Sequence, residues 1–328
     1  MAFGLKHLDL KLELSLKSDM KKVEALLRSH IDGDYPLVVE TSRHLVEAGG
    51  KRLRPLLTLL AAQFGDPAKA GIIEAAVVCE LTHLATLYHD DVMDEAPLRR
   101  GVESANSRWN NTVAILTGDY LFAKASDLLA DLGPEAVRLQ ARTFERLVIG
   151  QITETQGSTP GKSPLEHYLK VVSDKTASLI ATSARFGALL SGASESDVQA
   201  LTRFGEKIGV VFQLADDVID IASESNESGK TPGTDLREGV PTLITLFVLE
   251  STDPADDDLK EIISEPITDE TIVQEVLQKL RSHDAMQRSK ELLEQYANAA
   301  QLEIKPLKDC AAKRALIELC DTIITRTS

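Results

Sequence analysis

Asp90-Asp91-Val92-Met93-Asp94 lies inside an otherwise apolar, helix-patterned stretch, and 126 residues later the chain repeats it as Asp216-Asp217-Val218-Ile219-Asp220 in a second such stretch. On a helix of about 3.6 residues per turn, carboxylates at i and i+4 stand one above the other and the one at i+1 is offset by roughly 100°. Each motif therefore presents a compact set of hard oxygen ligands. Three carboxylates within one turn repel one another unless a cation offsets them. Mg²⁺ is the natural candidate, since it is usually held by one or two carboxylates plus substrate phosphates. One such motif alone also reads as a solvated acidic helix face. Two copies with basic companions read as two facing walls that hold a diphosphate through Mg²⁺.

Working outward, Gly49-Gly50-Lys51-Arg52-Leu53-Arg54-Pro55 sets three cations beside two glycines, so side-chain charge and backbone N–H groups can converge on one anion. Arg99-Arg100-Gly101 follows the first acid motif, and the arginine fork suits phosphate oxygens. Acid motifs and basic clusters together describe sites for two diphosphates, one metal-bridged and one held mainly by cations. His83 is seven residues before Asp90 and shares its helix face. Gln213, Asp216, Asp217 and Asp220 form an i, i+3, i+4, i+7 stripe. Lys175 opens a run of small residues, Thr176-Ala177-Ser178, that would let a substrate approach the backbone.

Aromatic residues make up only 4% of the 328-residue chain, Leu, Ala and Glu are abundant, and strand-type alternation is scarce, so the composition is helical. One large helical domain over 1–328 is expected, opening with an N-terminal packing helix in 1–30. The alternation of Leu8-Asp9-Leu10-Lys11-Leu12-Glu13-Leu14 could pass for a strand, yet it leads into a helical pattern. Helices are punctuated at Gly33-Asp34-Tyr35-Pro36, Gly49-Gly50, Gly65-Asp66-Pro67, 97–101, Gly133-Pro134, 157–164 and Gly192. The longest polar interruption, 223–239, follows the second acid motif and reads as a functional loop carrying Lys230, Asp235 and Arg237. The formal charge of −15 argues against a nucleic-acid partner. Cys79, Cys310 and Cys320 are widely separated, which indicates neither a disulfide framework nor a zinc site. Charges interrupt every apolar run in the first thirty residues, so no targeting or transmembrane segment is expected and the cytoplasm is favoured.

GGKRLRP, HDDVMDEAPLRRG, Lys175-Thr176, and QLADDVIDI followed by GKTPGTDLREG occur in that order. In these motifs, over roughly residues 40 to 250, the chain resembles the trans-isoprenyl diphosphate synthase (polyprenyl synthetase) family. The resemblance implies the isoprenoid synthase fold, one all-α bundle around a central active-site cavity, and a homodimer. It implies Mg²⁺ as cofactor, about three ions per active site once substrate is bound. Asp90, Asp91 and Asp94 with Asp216, Asp217 and Asp220 would hold the metal and the allylic diphosphate. Arg99, Lys175 and Lys230 would assist there, while Lys51, Arg54, His83 and Arg100 would bind isopentenyl diphosphate. Thr176 and Gln213 would stabilise developing positive charge. Relatives often carry lysine where this chain has Thr234 and Val240, which shifts the loop's phosphate contact toward Lys230. The implied reaction is ionisation, condensation and elimination. The departed diphosphate takes the proton, and repetition adds five carbons each time.

Val78, Thr82, Ala85 and His89 line one row of the first motif's helix. Short-chain relatives often carry a bulky aromatic five residues before the motif, where this chain has Ala85, with Thr86 beside it. The expected product is therefore of medium or long chain, roughly C30 to C50, growing past a level about 7 Å below Asp90. Phe144 or Leu147 would form the floor. Alternatives are a short-chain synthase (about C15 to C20), a class I terpene cyclase, a regulatory subunit of a heteromeric synthase, and a metal-binding helical scaffold. Product release at a membrane surface accords with so apolar a product.

Overall fold

A computed structural model describes residues 5, 7–159, 161–223 and 232–327. Helices dominate: α1 (Leu10–His30), α2 (Pro36–Glu47), α3 (Leu53–Ala62), α4 (Ile72–Met93), α5 (Ala105–Arg108), α6 (Asn111–Leu132), α7 (Pro134–Gln156), α8 (Pro164–Val171), α9 (Ser178–Ser191) and α10 (Glu195–Ala222). They continue as α11 (Thr234–Glu238), α12 (Leu243–Leu249), α13 (Asp257–Ile263), α14 (Glu270–Ser282), α15 (Asp284–Glu303) and α16 (Ala311–Thr325). The all-α expectation holds, with one small exception. Leu98–Arg99 and Val102–Glu103 pair as antiparallel strands β1 and β2. Their two-residue loop has φ of 55° at Arg100 and 77° at Gly101, the positive pair that lets a tight hairpin follow the strand twist.

Helix starts follow local chemistry. The Asp9 carboxylate accepts from the Lys11 and Leu12 amides at 3.0 and 3.2 Å, so α1 begins at Leu10 rather than at the chain's first residues. Pro36 and Pro164 occupy first turns, and the Asn110 side chain accepts from the Val113 amide at 2.9 Å. The 223–239 stretch expected as loop contains α11. Residues 224–231, and Lys230 with them, lie outside the described residues.

The single domain expected over 1–328 is packed as two compact units of interleaved segments. Unit 1 comprises Met1–Glu145, Ser178–Gly205 and Glu303–Leu319; unit 2 comprises Arg146–Ala177, Glu206–Leu302 and Cys320–Ser328. In unit 1, α4 packs on α1, α3, α6 and α9. It is apolar on nearly every side, with residues from Ile72 through Tyr88 buried around its circumference, as a central helix must be. The α4 and α6 backbones meet closely at Gly118, where a Cβ would lie 2.4 Å from His89 Nε2 and 3.0 Å from the Ala85 carbonyl. In unit 2, α8 runs into a π-helical turn, Val172–Ala177, and α12 packs on α8 and α13.

Candidate active site

The first acid motif closes α4, with Asp94 as C-cap. Asp91 is fully buried, Asp90 half-buried and Asp94 exposed. Arg99 on β1 donates from Nε to Asp91 Oδ1 at 2.5 Å, while buried Asp91 Oδ2 has no hydrogen-bond partner. Burial raises the Asp91 pKa and the Arg99 charge opposes that rise.

The hairpin turn sends Arg100 the other way. Its Nη1 donates to Leu45 O at 2.7 Å and to Gly49 O, and its guanidinium passes 3.0 Å from where a Gly50 Cβ would sit. Gly50 also has φ of 154°, which L side chains rarely adopt, so a side chain there would be strained and would crowd Arg100. Arg54 and His83 are half-buried nearby. Burial, then Arg54 and Arg100, hold the His83 pKa well below its ordinary value, so the ring is neutral near pH 7. Burial likewise lowers Arg54 to about 10, and its buried Nε has no hydrogen-bond partner. Lys51 is exposed. Unit 1 therefore gathers mutually repelling cations, which is stable only where an anion or carboxylate offsets them. One cation of GGKRLRP is already offset: Arg52 is 7% exposed and bonds to Glu24 and Glu80 at 2.6 and 2.8 Å. The motif counts it as one of three cations beside Gly49-Gly50, outside the set expected to bind isopentenyl diphosphate, and the fold turns it inward.

The second acid motif sits inside α10 with different company. Tyr168 donates from its hydroxyl to Asp217 Oδ2, the Leu243 amide donates to the same oxygen at 3.2 Å, and Gln213 Nε2 donates to Asp217 Oδ1 at 3.1 Å. Burial pushes Asp217 up to about 6, against the pull of those donors. Asp220 Oδ1 accepts from the Thr234 amide at 3.3 Å, and Arg326 Nη2 stands 3.8 Å from Asp216 Oδ1.

Thr176 Oγ1 donates to Gln213 Oε1 at 3.3 Å, and Lys175 Nζ meets Glu154 Oε2 at 2.5 Å. Both lie on the π turn, which is locked by Arg146. That guanidinium meets Asp174 at 2.6 Å, Glu206 at 2.5 Å and the Ser173 hydroxyl at 2.8 Å. A cavity of about 230 Å³ in unit 2 is lined by Tyr168, Lys175, Thr176, Gln213, Asp217 and Asp235, among others. The small residue Ala177 packs on Gly209, whose Cβ would fall 2.5 Å from the Ala177 Cα. Close helix packing thus engages Ala177, while its neighbour Thr176 lines the cavity.

Sequence reasoning missed Tyr168 and Arg146. A signal existed for Tyr168, seven residues before Lys175, since a tyrosine on the inner face of an amphipathic helix needs a partner for its hydroxyl. Nothing local pointed to Arg146, whose partners lie 28 and 60 residues away.

Of the chain-length candidates, Ala85 and Thr82 are buried, as is Thr86, and Gln140 Nε2 donates to Thr82 Oγ1 at 2.7 Å. The Phe144 ring lies 4.5 Å from that of Phe122, which lies 5.7 Å from His89. Leu147 is nearly buried on α7.

Among the described residues no three acidic, histidine or cysteine side chains converge as a ready-made metal cage. The carboxylates instead fit a cation that completes its shell with substrate oxygens and water, as Mg²⁺ does. The unpartnered buried Oδ2 of Asp91 accords with that. Among the described residues no helix is long and apolar enough to cross a membrane.

Comparison with known proteins agrees with this geometry. Residues 35–280 match the model of the polyprenyl synthetase family. The chain is 48% identical to nonaprenyl diphosphate synthase of Mycobacterium tuberculosis, over 95% of this chain and 93% of that protein. Its structure resembles the geranylgeranyl pyrophosphate synthase of Corynebacterium glutamicum crystallised with calcium and isoprenyl diphosphate, with a TM-score of 0.88, 42% identity and coverage of 98% and 99%. It also resembles a decaprenyl diphosphate synthase from Rhodobacter capsulatus, with a TM-score of 0.88, 31% identity and coverage of 97% and 99%. The chain belongs to the polyprenyl synthetase family.

Proposed function

We propose that the chain is a Mg²⁺-dependent prenyltransferase that joins isopentenyl diphosphate to an allylic diphosphate and repeats the step, making an all-trans polyprenyl diphosphate of roughly C30 to C50. The observation that carries this reading is a pair of features in unit 1: Arg54 and Arg100 gather about His83, and the buried carboxylate Asp91, paired with Arg99, keeps one oxygen unbonded. Lys51, Arg54, His83 and Arg100 bind isopentenyl diphosphate. Neutral His83 donates or accepts a hydrogen bond without adding to the local charge.

Asp90, Asp91 and Asp94 in unit 1, and Asp216, Asp217 and Asp220 in unit 2, are each a carboxylate set that would bind Mg²⁺. When bound, Mg²⁺ supplies electrostatic neutralisation of the diphosphate as the allylic C–O bond breaks. Arg99, Lys175 and Lys230 add positive charge to that leaving group. Gln213 and Thr176, already bonded to each other, present oxygen lone pairs to the developing allylic cation. The isopentenyl double bond then attacks, and the departed diphosphate accepts the proton. Exposed Ile115 and Leu116 on α6 support pairing with a second copy, and free thiols at Cys79, Cys310 and Cys320 support the cytoplasm.

The long-chain relatives and small Ala85 favour the longer product. A shorter one, near C20, is the second reading, because the Corynebacterium relative carries that name and Ala85 is packed tightly against α6. The test is incubation with Mg²⁺, isopentenyl diphosphate and C5, C10, C15 or C20 allylic diphosphates, followed by product sizing. Products of about C30 or longer support the reading, and A85F then shortens them. Products of C15 or C20 leave prenyl transfer standing and remove the passage at Ala85. Failure to consume isopentenyl diphosphate overturns the proposal.

A further inference from the structure

Arg52 is set apart from the other cations of its segment. It caps the start of α3 with φ of 51°, a left-handed conformation that non-glycine residues seldom adopt. Each of its three guanidinium nitrogens donates. Nε and Nη2 form a fork on Glu24 of α1, at 2.6 and 3.4 Å. Nη1 reaches Glu80 of α4 at 2.8 Å, and Nη2 also donates to Val46 O at the end of α2 at 3.2 Å. Glu80 is almost wholly buried. One side chain thus ties α1, α2 and α4 to the backbone between Gly50 and Leu53. Lys51 precedes it and Arg54 follows two residues later, so the orientation of both depends on the dihedrals held at Arg52.

We infer that Arg52 is a positioning residue and that Glu24, on the N-terminal helix, is a functional part of the isopentenyl diphosphate site, because the Glu24/Arg52/Glu80 ion triad fixes the backbone from which Lys51 and Arg54 reach the diphosphate. The inference rests on the function proposed above. It gives α1 a role in binding a substrate that none of its residues has to touch. The left-handed turn matters to the argument, since a sparsely populated conformation persists only where its surroundings over-determine it. The three carboxylate contacts and the Val46 carbonyl supply that determination.

The test uses two substitutions that keep side-chain volume, E24Q and R52K. Lysine keeps the charge, but one ammonium cannot serve both carboxylates and the carbonyl as a planar fork does. Binding of inorganic pyrophosphate and of isopentenyl diphosphate is measured by calorimetry on the full chain. KM for each substrate and kcat are measured separately, with thermal midpoints alongside. The expected result is binding of both ligands weakened about tenfold in each variant. KM for isopentenyl diphosphate rises to match, and kcat and KM for the allylic substrate stay within about twofold. The double variant should be no worse than R52K alone, because both remove one device. Pyrophosphate binding in E24Q equal to wild type would overturn the inference. So would equal losses for both substrates in step with a falling thermal midpoint, which is the mark of general loosening. If E24Q weakens pyrophosphate binding while wild type turns over no isopentenyl diphosphate, the positioning role stands and the prenyltransferase reading fails.

Discussion

The two acid motifs share a spacing and differ in almost everything around it. In unit 1 the motif ends its helix, and its buried member Asp91 is met by a cation, Arg99, on one oxygen and by nothing on the other. In unit 2 the motif lies inside a helix, and the more deeply buried of its two buried members, Asp217, is met by neutral donors on both oxygens, from Tyr168, Gln213 and the Leu243 amide. Identical spacing fixes which carboxylates share a helix face. The partners decide what each carboxylate is worth. Burial raises the pKa of both acids; at Asp91 a full charge opposes that rise, and at Asp217 only neutral donors do.

That contrast can be broken in several ways. The largest expected effect is on turnover. D90N and D216N each remove a less deeply buried carboxylate from one motif, and each should lower kcat by about 10² to 10³-fold with little change in fold, checked by steady-state product formation and circular dichroism. A fall in one variant only would mean that the motifs do not share the work.

Stability comes next. R99Q leaves Asp91 buried without its cation and should cost about 2 to 3 kcal/mol in urea denaturation. Y168F removes one neutral donor of three from Asp217 and should cost about 1 kcal/mol. If Y168F proves the costlier, neutral donors outweigh the ion pair and the contrast above is wrong.

The pH dependence should carry opposite signs in the two units. His83 has its pKa depressed by burial and by Arg54, so the folded state binds fewer protons there than the unfolded chain. Its contribution is present above the ordinary histidine range and is lost as pH falls below about 6.5. Asp217 has its pKa raised to about 6 by burial, so between its ordinary value near 3.8 and about 6 the folded state binds more protons. Stability from that group falls as pH rises through this window, by about 2 to 3 kcal/mol in all. In metal-free stability measured from pH 4 to 8, H83N should therefore be weakened less than wild type as pH falls below about 6.5, and D217N weakened more than wild type as pH falls below about 6. A D217N curve parallel to wild type would mean that Asp217 stays ionised throughout.

Helical composition, the breakers and the phase of the acid motifs were all legible in the sequence because they depend on residues within a turn or two of one another. The breaks at Gly33 to Pro36 and at 157–164, and Asp90 with Asp94 on one face, came from local rules, whereas the Asp9 cap that starts α1 at Leu10 was not read. What else stayed hidden depended on partners brought together from afar. Arg52 looked like its neighbours Lys51 and Arg54 until Glu24 and Glu80, each 28 residues away, claimed it. Tyr168 and Asp217 are 49 residues apart. The hairpin at Leu98 to Glu103 was missed because Arg100, not the usual asparagine or glycine, takes the first left-handed position of its turn. Ala85 remained ambiguous because a small residue serves a passage and a tight helix crossing equally well, and the Gly118 contact documents the crossing alone.

The π turn at Val172–Ala177 has a consequence for how this chain can change length. A π turn holds one residue more than the helix around it needs. Deleting one of the residues that precede Lys175 in this turn would let the helix close into a regular α form with the flanking helices keeping their faces, and only the side chains within the turn would be re-aimed. Lys175 and Thr176 would then leave Glu154 and Gln213 although neither had been substituted. Surface loops forgive a lost residue because slack absorbs it. Here the surplus residue is itself the aiming device, so natural variation in this stretch should run to substitution and almost never to gaps.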